Sequence, residues 1–496
     1  MLDATTDLKS MLKRPDLVCS QAFVGGEWVD AKSGKTFDVT NPARGDVIAT
    51  VTDLDRSEIT QAIDAAHKSQ KAWAALAAKE RAKVLRKWFD LLMANQEDLA
   101  IIMTAEQGKP LVESRGEVAY GASFVEWFGE EAKRNYGETI PGHMADKRIT
   151  VIKQPIGVAA SITPWNFPNA MIARKVAPAL AAGCGFVCRP AAETPLSAIA
   201  LAVLAERAGV PGGVFSVITS SRSSDIGKEF CENPAVRKLT FTGSTEVGRI
   251  LLRQAAEQVL KCSMELGGNA PFIVFDDADL DKAVEGAMIS KFRNNGQVCI
   301  SPSRFFVHEK VRKNFTEAAV EFTKALKQGN GLEAGIEVGP MFEGKALEQT
   351  SRLVNDATGK GARLLTGGKR SSSFDKGYFF EPTVLDGLTP ACALLTEEPF
   401  APIMPIIGFD QIDQVIEQAN STKYGLAAYV FTNDLSTAFR MGDGLEAGII
   451  GINDPVPATP QCPFGGMKES GLGRELGHEG LEAYLETKYL AFRINE

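Results

Sequence analysis

Between residues 56 and 130 the apolar positions recur every three or four residues. The stretch KSQKAWAALAAKERAKVLRKWFDLLMANQEDLA is amphipathic over several turns. That period predicts a run of helices. From residue 151 the pattern changes. GVAASIT, GFVCRP, GVFSVIT and RKLTFTG read as short strands, with NAMIARKVAPALAAG and PLSAIALAVLAERAG between them as helices. Such alternation predicts a parallel sheet with helices on both faces, an α/β fold. Ahead of it, FVGGEWVDAKSGKTFDVT (23–40) reads as a hairpin turning at SGK.

A second alternating series begins near 263. PFIVF reads as a strand. DADLDKAVEGAMISKFR reads as a helix with Leu280, Ala283, Val284, Ala287, Met288 and Phe292 on one face. NNG supplies a C-cap, and SRFFVH is the next strand. Cys299, in NNGQVCISPSR, therefore lies in a loop between a helix and a strand, where rigid elements position chemistry. Near the C-terminus EAYLETKYLAF reads as a helix and then a strand able to extend a partner's sheet. There are no internal repeats and no low-complexity tract.

With 496 residues the chain exceeds one ordinary core, and two or three domains are expected. Hydrophobic content of 44% and charged content of 23% describe an ordinary globular protein. The net charge of −8 is interspersed, with no long basic run, so no nucleic-acid partner is expected. The start, MLDATTDLKSMLKRPD, lacks the apolar segment of a signal peptide. The longest apolar run, Val176 to Cys188, falls short of the ~20 residues that span a bilayer. It is rich in Ala and Gly and reads as a buried helix–strand junction, so no membrane partner is expected. The eight cysteines (Cys19, Cys184, Cys188, Cys231, Cys262, Cys299, Cys392 and Cys462) form no C-x-x-C pair, and most sit in apolar runs. That usage fits reduced thiols in the cytoplasm. His67, His143, His308 and His478 form no H-x-x-x-H and join no cysteine cluster, so no metal site is expected.

Four short segments carry candidate chemistry. In FTGSTEVG, Gly243 and Ser244 stand where a strand meets a helix N-terminus, a place for a phosphate or for an ordinary Ser N-cap. In MELGGNAP, Glu265 lies between apolar residues before a Gly-Gly turn, either salt-bridged or kept for proton transfer. In ITPWNFP, Asn166 either makes an Asx turn or donates to an oxyanion. Cys299 is either an inert packed thiol or a nucleophile, and its polar loop distinguishes it from Cys184 and Cys188. With no Cys–His pattern nearby, a nucleophilic Cys299 would rely on a carboxylate or on backbone dipoles.

Taken in order, PWNFP, FTGSTEVG, MELGGNAP, FRNNGQVC, EEPFAPI and PFGGMKESGLGRE resemble the motifs of the NAD(P)-dependent aldehyde dehydrogenase superfamily, from about residue 20 to the C-terminus. The resemblance implies Cys299 as the nucleophile that adds to the aldehyde, Asn166 with the Cys299 N–H as the oxyanion site, and Glu265 as the base for the deacylating water. It implies a cofactor site containing Trp165, Gly243 and the pyrophosphate contact Ser244. Arg189 stands where relatives have lysine, and Glu398 and Phe400 lie at the nicotinamide ribose. It also implies a Rossmann-like cofactor domain (20–130 and 151–262), a catalytic domain (263–463) and an oligomerisation arm (131–150 with 475–496), giving a homodimer or homotetramer.

Departures from the pattern refine this. Many NAD-preferring relatives have glutamate where Ala192 stands. A carboxylate there would repel a 2′-phosphate by roughly 4 kcal/mol at about 4 Å and an effective dielectric near 20. Its absence, with Arg189 nearby and Arg222 in a turn that usually contains glycine, predicts that NADP is accepted and preferred over NAD. WFGEEAKRNYGETIP and ESGLGRELGHEGLEAYLETKYL resemble succinate-semialdehyde dehydrogenases. FRNNGQVCISPSRF and INDPVPATPQCPFGG are closer to α-ketoglutarate-semialdehyde dehydrogenases. Both bind an aldehyde with a distal carboxylate, and their arginines match Arg174 and Arg293, the latter otherwise a helix C-terminal cation. Relatives often have serine near Ala458, where this chain has Thr459 beside it. Ser301 stands where some relatives carry a second cysteine, so no local disulfide switch is expected. A CoA-acylating relative would lack Glu265. A non-catalytic crystallin-like role does not fit intact Cys299, Glu265 and Asn166.

Overall fold

The computed structural model describes residues 7–494, so the extreme C-terminus of the expected arm, 495–496, lies outside the described residues. The predicted helical run is four helices: Arg56–Ala75, Ala78–Ala94, Gln96–Gln107 and Leu111–Glu131. Asp55 caps the first, accepting from the Ser57 and Glu58 N–H groups while Glu58 reaches back to the Asp55 N–H.

The four strand runs from 157 to 243 lie in one eight-stranded sheet. Its parallel centre runs Phe215–Val217, Gly185–Arg189, Val158–Ile162, Val236–Thr242 and Lys261–Glu265, flanked by antiparallel Ala22–Val24 with Glu27–Val29 beyond it at one edge, and by antiparallel Gly471–Leu472 at the other. Alternate side chains enter two cores. Ala159, Phe186 and Cys188 pack with Trp88, Phe124 and Leu180 on one face, while Val158, Ala160 and Val187 pack with Ile59, Ile63 and Phe230 on the other. Strands covered on both faces are necessarily apolar throughout, which is why they stand out in the sequence. The Val176–Cys188 run is the expected junction: the helix Ala170–Ala182 stops at Gly183, φ 100°, and the strand Gly185–Arg189 follows.

The second series forms a seven-stranded sheet in the order Arg363–Thr366, Thr383–Asp386, Ile403–Phe409, Pro302–His308, Ala270–Val274, Ala427–Phe431 and Ile449–Ile452, parallel except at its first strand. A third, antiparallel sheet joins Glu138–Ile140, Lys147–Pro155 and Leu485–Arg493. Its middle strand runs on past residue 150, because it keeps a nine-residue ladder with the C-terminal strand.

The N-terminal hairpin is placed differently from expectation. Ala22–Val24 pairs with Glu27–Val29 around Gly25 and Gly26, whereas Thr36–Thr40 pairs with Val47–Thr52. Gly25 and Gly26 have φ of 66° and 96°, the left-handed pair that a two-residue hairpin turn needs. SGK only links the two ladders. Among the described residues, no helix is long and apolar enough to cross a membrane.

Candidate active site

The helix Leu280–Phe292 ends as predicted at NNG. Asn294, Asn295 and Gly296 all take positive φ (48°, 56° and 71°) and swing the chain into the Gln297–Ser301 loop. A Cβ on Gly296 would lie 2.3 Å from the Ala401 carbonyl oxygen, so the turn can approach the 398–402 segment only as glycine. Gly268 is constrained in the same way. A Cβ there would stand 2.4 Å from the Cys299 carbonyl oxygen. The Gly-Gly turn after Glu265 thus exists so that the end of the strand Lys261–Glu265 can pass against the cysteine loop.

Asn166 is tied to that loop. Its Nδ2 donates to the Gln297 carbonyl at 3.0 Å, while its own carbonyl accepts from Asn294 Nδ2 at 2.9 Å and from Lys109 Nζ at 2.7 Å. One Nδ2 proton is left over, as an oxyanion donor requires.

Cys299 lies at the junction of two cavities. One, of about 230 Å³, is lined by Pro164, Trp165, Asn166, Thr242, Gly243, Ser244, Leu266, Gly267, Glu398 and Phe400. It opens at the carboxyl ends of the parallel strands, the usual ligand crevice of such sheets. The other, of about 290 Å³, has Arg174, Arg293, Lys109, Glu113, Glu117, Tyr120, Phe167 and Phe464 among its walls. Cys299 and Met171 line both.

The lining of the first cavity suits the nicotinamide end of a dinucleotide. Ser244 caps the helix Thr245–Ala256, its Oγ accepting from the Val247 N–H at 3.3 Å. The Glu398 carboxylate accepts from the Gly268 N–H at 3.1 Å, and burial pushes it up to about 7. Trp165 stacks on Phe342 and meets Phe400 edge-on, with ring centroids 4.1 and 5.8 Å away. Phe400 has φ 45°, a strained conformation for an aromatic residue that aims its ring into the crevice wall.

The second cavity is electropositive where it is least satisfied. Arg174 is buried against the Phe464 ring at 4.0 Å. Its Nε lies 3.1 Å from Glu475 Oε2, yet the geometry leaves Nε and Nη2 without an aligned hydrogen bond. The Arg293 guanidinium sits 5.1 Å over the Phe167 ring. Glu113 accepts from the Asn294 N–H at 2.7 Å, and burial, opposed by Lys109, pushes it up to about 7.

Around the cysteine the charges are tuned by burial. Burial, reinforced by Glu398, pushes the Cys299 thiol up to about 12, with Arg174 pulling the other way. Glu265 is buried with Oε2 unpartnered, and burial together with Glu475 pushes it well above the usual carboxylate range. Burial alone would raise Glu475 too. Lys175 and Arg174 outweigh it and hold Glu475 below its ordinary value, with Lys175 ion-paired to Glu475 and 3.2 Å from Thr240 Oγ1.

The remaining sequence candidates lie apart from these two cavities. Arg189, at the end of its strand, donates to the Ser220 carbonyl at 3.1 Å and to Ser223 Oγ at 2.7 Å. Arg222 precedes the helix Ser223–Glu232, without a side-chain capping bond, beside Asp53 and Asp55, and Ala192 sits half-buried in the loop after Arg189. Thr459 does not line the second cavity. Its hydroxyl donates to Gln461, and Ala458 takes the wall position. Ser301 is buried with its hydroxyl on the Lys291 carbonyl at 3.4 Å. Sequence reading missed Lys109, Glu113, Glu117, Tyr120, Met171 and Phe464. Glu113 and Glu117 are spaced i, i+4 on the helix Leu111–Glu131, a pattern that resembles any solvated helix face.

Residues 28–490 match the model described as the aldehyde dehydrogenase family. The chain is 53% identical to glutarate-semialdehyde dehydrogenase of Pseudomonas putida, covering 97% of this chain and 100% of that one. It is 54% identical to the NADP(+) succinate-semialdehyde dehydrogenase of Escherichia coli, again over 97% and 100%. The crystal structure of an aldehyde dehydrogenase from Brucella melitensis biovar abortus superposes with a TM-score of 0.96 at 54% identity, over 98% of this chain and 99% of that one.

Proposed function

The chain belongs to the aldehyde dehydrogenase family, and from that premise we propose that it oxidises a short aldehyde with a distal carboxylate to the acid, using NADP or NAD. Succinate semialdehyde is the first choice, with glutarate and α-ketoglutarate semialdehydes as alternatives. The observation that carries this is the cavity beside Cys299, where Arg174, its Nε paired with Glu475, keeps a buried Nη2 without a hydrogen-bond partner and Arg293 stands as a second cation. Buried donors left open are costly, and a carboxylate would satisfy them.

In this reading the Cys299 thiol gives its proton to the ionised form of Glu265, which releases it to solvent, as Sγ bonds to the aldehyde carbon and the carbonyl oxygen takes up negative charge beside the free Asn166 Nδ2 proton. The nicotinamide, when bound in the 230 Å³ cavity, supplies the hydride acceptor. The resulting Cys299 thioester is hydrolysed by a water that gives its proton to Glu265. Glu398 and Phe400 would hold the cofactor's ribose end, Trp165, Gly243 and Ser244 would flank its path, and Arg189, Ala192 and Arg222 would meet its 2′-position. The three-part division into cofactor domain, catalytic domain and arm goes with a cytoplasmic homodimer or homotetramer. The arm sheet bares Tyr489 at 70% exposure, together with Ile140, Ile152 and Phe492, which supports a partner there.

The test is a kinetic panel. Arg293→Ala should lower kcat/KM for succinate semialdehyde by about 10- to 100-fold, the weight of a charge-assisted contact, and change butanal by less than about threefold. If both aldehydes respond alike, the carboxylate reading fails.

A further inference from the structure

The cavity wall holds a charged pair that the proposed chemistry does not use. Lys109, in the turn between the helices Gln96–Gln107 and Leu111–Glu131, and Glu117, two turns on, are paired at 2.5 Å with each side chain only 1% exposed. Their remaining bonds all go to one segment. Lys109 Nζ donates to the Asn166 carbonyl at 2.7 Å and rests 3.9 Å over the Phe167 ring. Glu117 Oε1 accepts from the Asn169 and Ala170 N–H groups at 2.9 and 3.1 Å, at the start of the helix that carries Arg174. The ammonium thus has two oxygen acceptors and an aromatic face for its three protons, with no donor left for a substrate.

Resting on the reading of Asn166 as oxyanion donor, we propose that Lys109 and Glu117 are positioning residues that hold the 166–170 turn, and with it the Asn166 amide, in register with Cys299. A buried ion pair is on balance no better for stability than an apolar pair of similar volume. The value of this one lies in its directed bonds. It clamps the turn from the helix side, while Asn294 and Gln297 clamp it from the cysteine side. With the Lys109 contact removed, Asn166 keeps only its bonds to the cysteine loop it must be aligned against, and displacement by about 1 Å is enough to slow chemistry by about 10²-fold.

The experiment measures the first-turnover burst of hydride transfer by stopped flow, with succinate semialdehyde and with butanal, in the full-length oligomer. Lys109→Met should slow the burst at least about tenfold for both aldehydes, with KM for succinate semialdehyde moving less than about threefold. Lys109→Gln, which keeps a donor for the Asn166 carbonyl, should regain most of the rate. The double variant Lys109→Met/Glu117→Leu removes the unpaired buried charge, so it should melt near the parent temperature and still react slowly. A double variant that melts normally and bursts at the parent rate would overturn the proposal, leaving the pair as packing. A loss confined to the KM of the carboxylate-bearing aldehyde would overturn it too, by making Lys109 a substrate ligand. Asn166→Ala serves as reference. If it leaves the burst unchanged, the oxyanion reading falls first.

Discussion

The two cavities that meet at Cys299 are built by different means. The 230 Å³ cavity, proposed for the cofactor, is made mostly of strand ends and loop backbone: the Thr242–Ser244 turn, the Leu266–Gly267 turn and the segment carrying Glu398 and Phe400. The other is a chamber walled largely by helix and loop side chains, five of them charged: Lys109, Glu113, Glu117, Arg174 and Arg293. The first suits a ligand shared by many enzymes, since backbone geometry survives substitution. The second suits a ligand that must be selected, since each charge can be exchanged singly. On the proposed function, the difference would make reaction and substrate choice separable, with Cys299 as the joint.

The most drastic break is at that joint. Cys299→Ala should lower turnover by about 10⁴-fold or more with every aldehyde, as loss of a nucleophile does. NADP binding, followed by calorimetry, should persist, and retained turnover would remove Cys299 from the chemistry. A substitution on the cofactor side should leave the aldehyde profile alone. Ala192→Glu should cut the NADP-over-NAD ratio of kcat/KM by about tenfold or more through repulsion of the 2′-phosphate. A parent enzyme with a large NAD preference would sink the cofactor expectation at once.

The smallest effect sharpens the substrate side. Glu113 is pushed up to about 7, so near neutral pH it changes from neutral to anionic within the cavity. As pH rises through about 7, the added negative charge should raise KM for an anionic aldehyde a few-fold and leave butanal unaffected. Glu113→Gln should flatten that dependence. For stability the sign is the same. A carboxyl raised in the folded state contributes fully below its ordinary value near 4.5 and loses that contribution as pH climbs to about 7. The Glu113→Gln melting temperature should therefore gain on the parent between these limits.

Much of the frame was legible in the sequence, for a physical reason. Strands such as Val158–Ile162 and Gly185–Arg189 are buried on both faces, so they show as apolar runs between helical periods. The NNG turn before Cys299 was legible because few residues tolerate three successive positive φ values. The hairpin was misplaced because two glycine-containing turns compete there, and only strand pairing chooses between GG and SGK. The walls of the 290 Å³ cavity were illegible. Glu113 and Glu117 look like a solvated helix face, with Lys109 in the turn before it, since helical spacing does not reveal which face another element covers.

By itself the sequence determined the alternation of elements, the order of the motifs and the residue types able to act: a thiol, an amide, a buried carboxylate and two arginines. Those are properties of local pattern and composition, and they survive without coordinates. Only the tertiary structure decided which of them meet. It brought Cys299 between two cavities, turned one Asn166 proton to Gln297, set Thr459 aside and buried a lysine against the Asn166 carbonyl. Contacts across 57 to 131 positions of chain depend on how helices pack on a sheet, which no short window of sequence encodes.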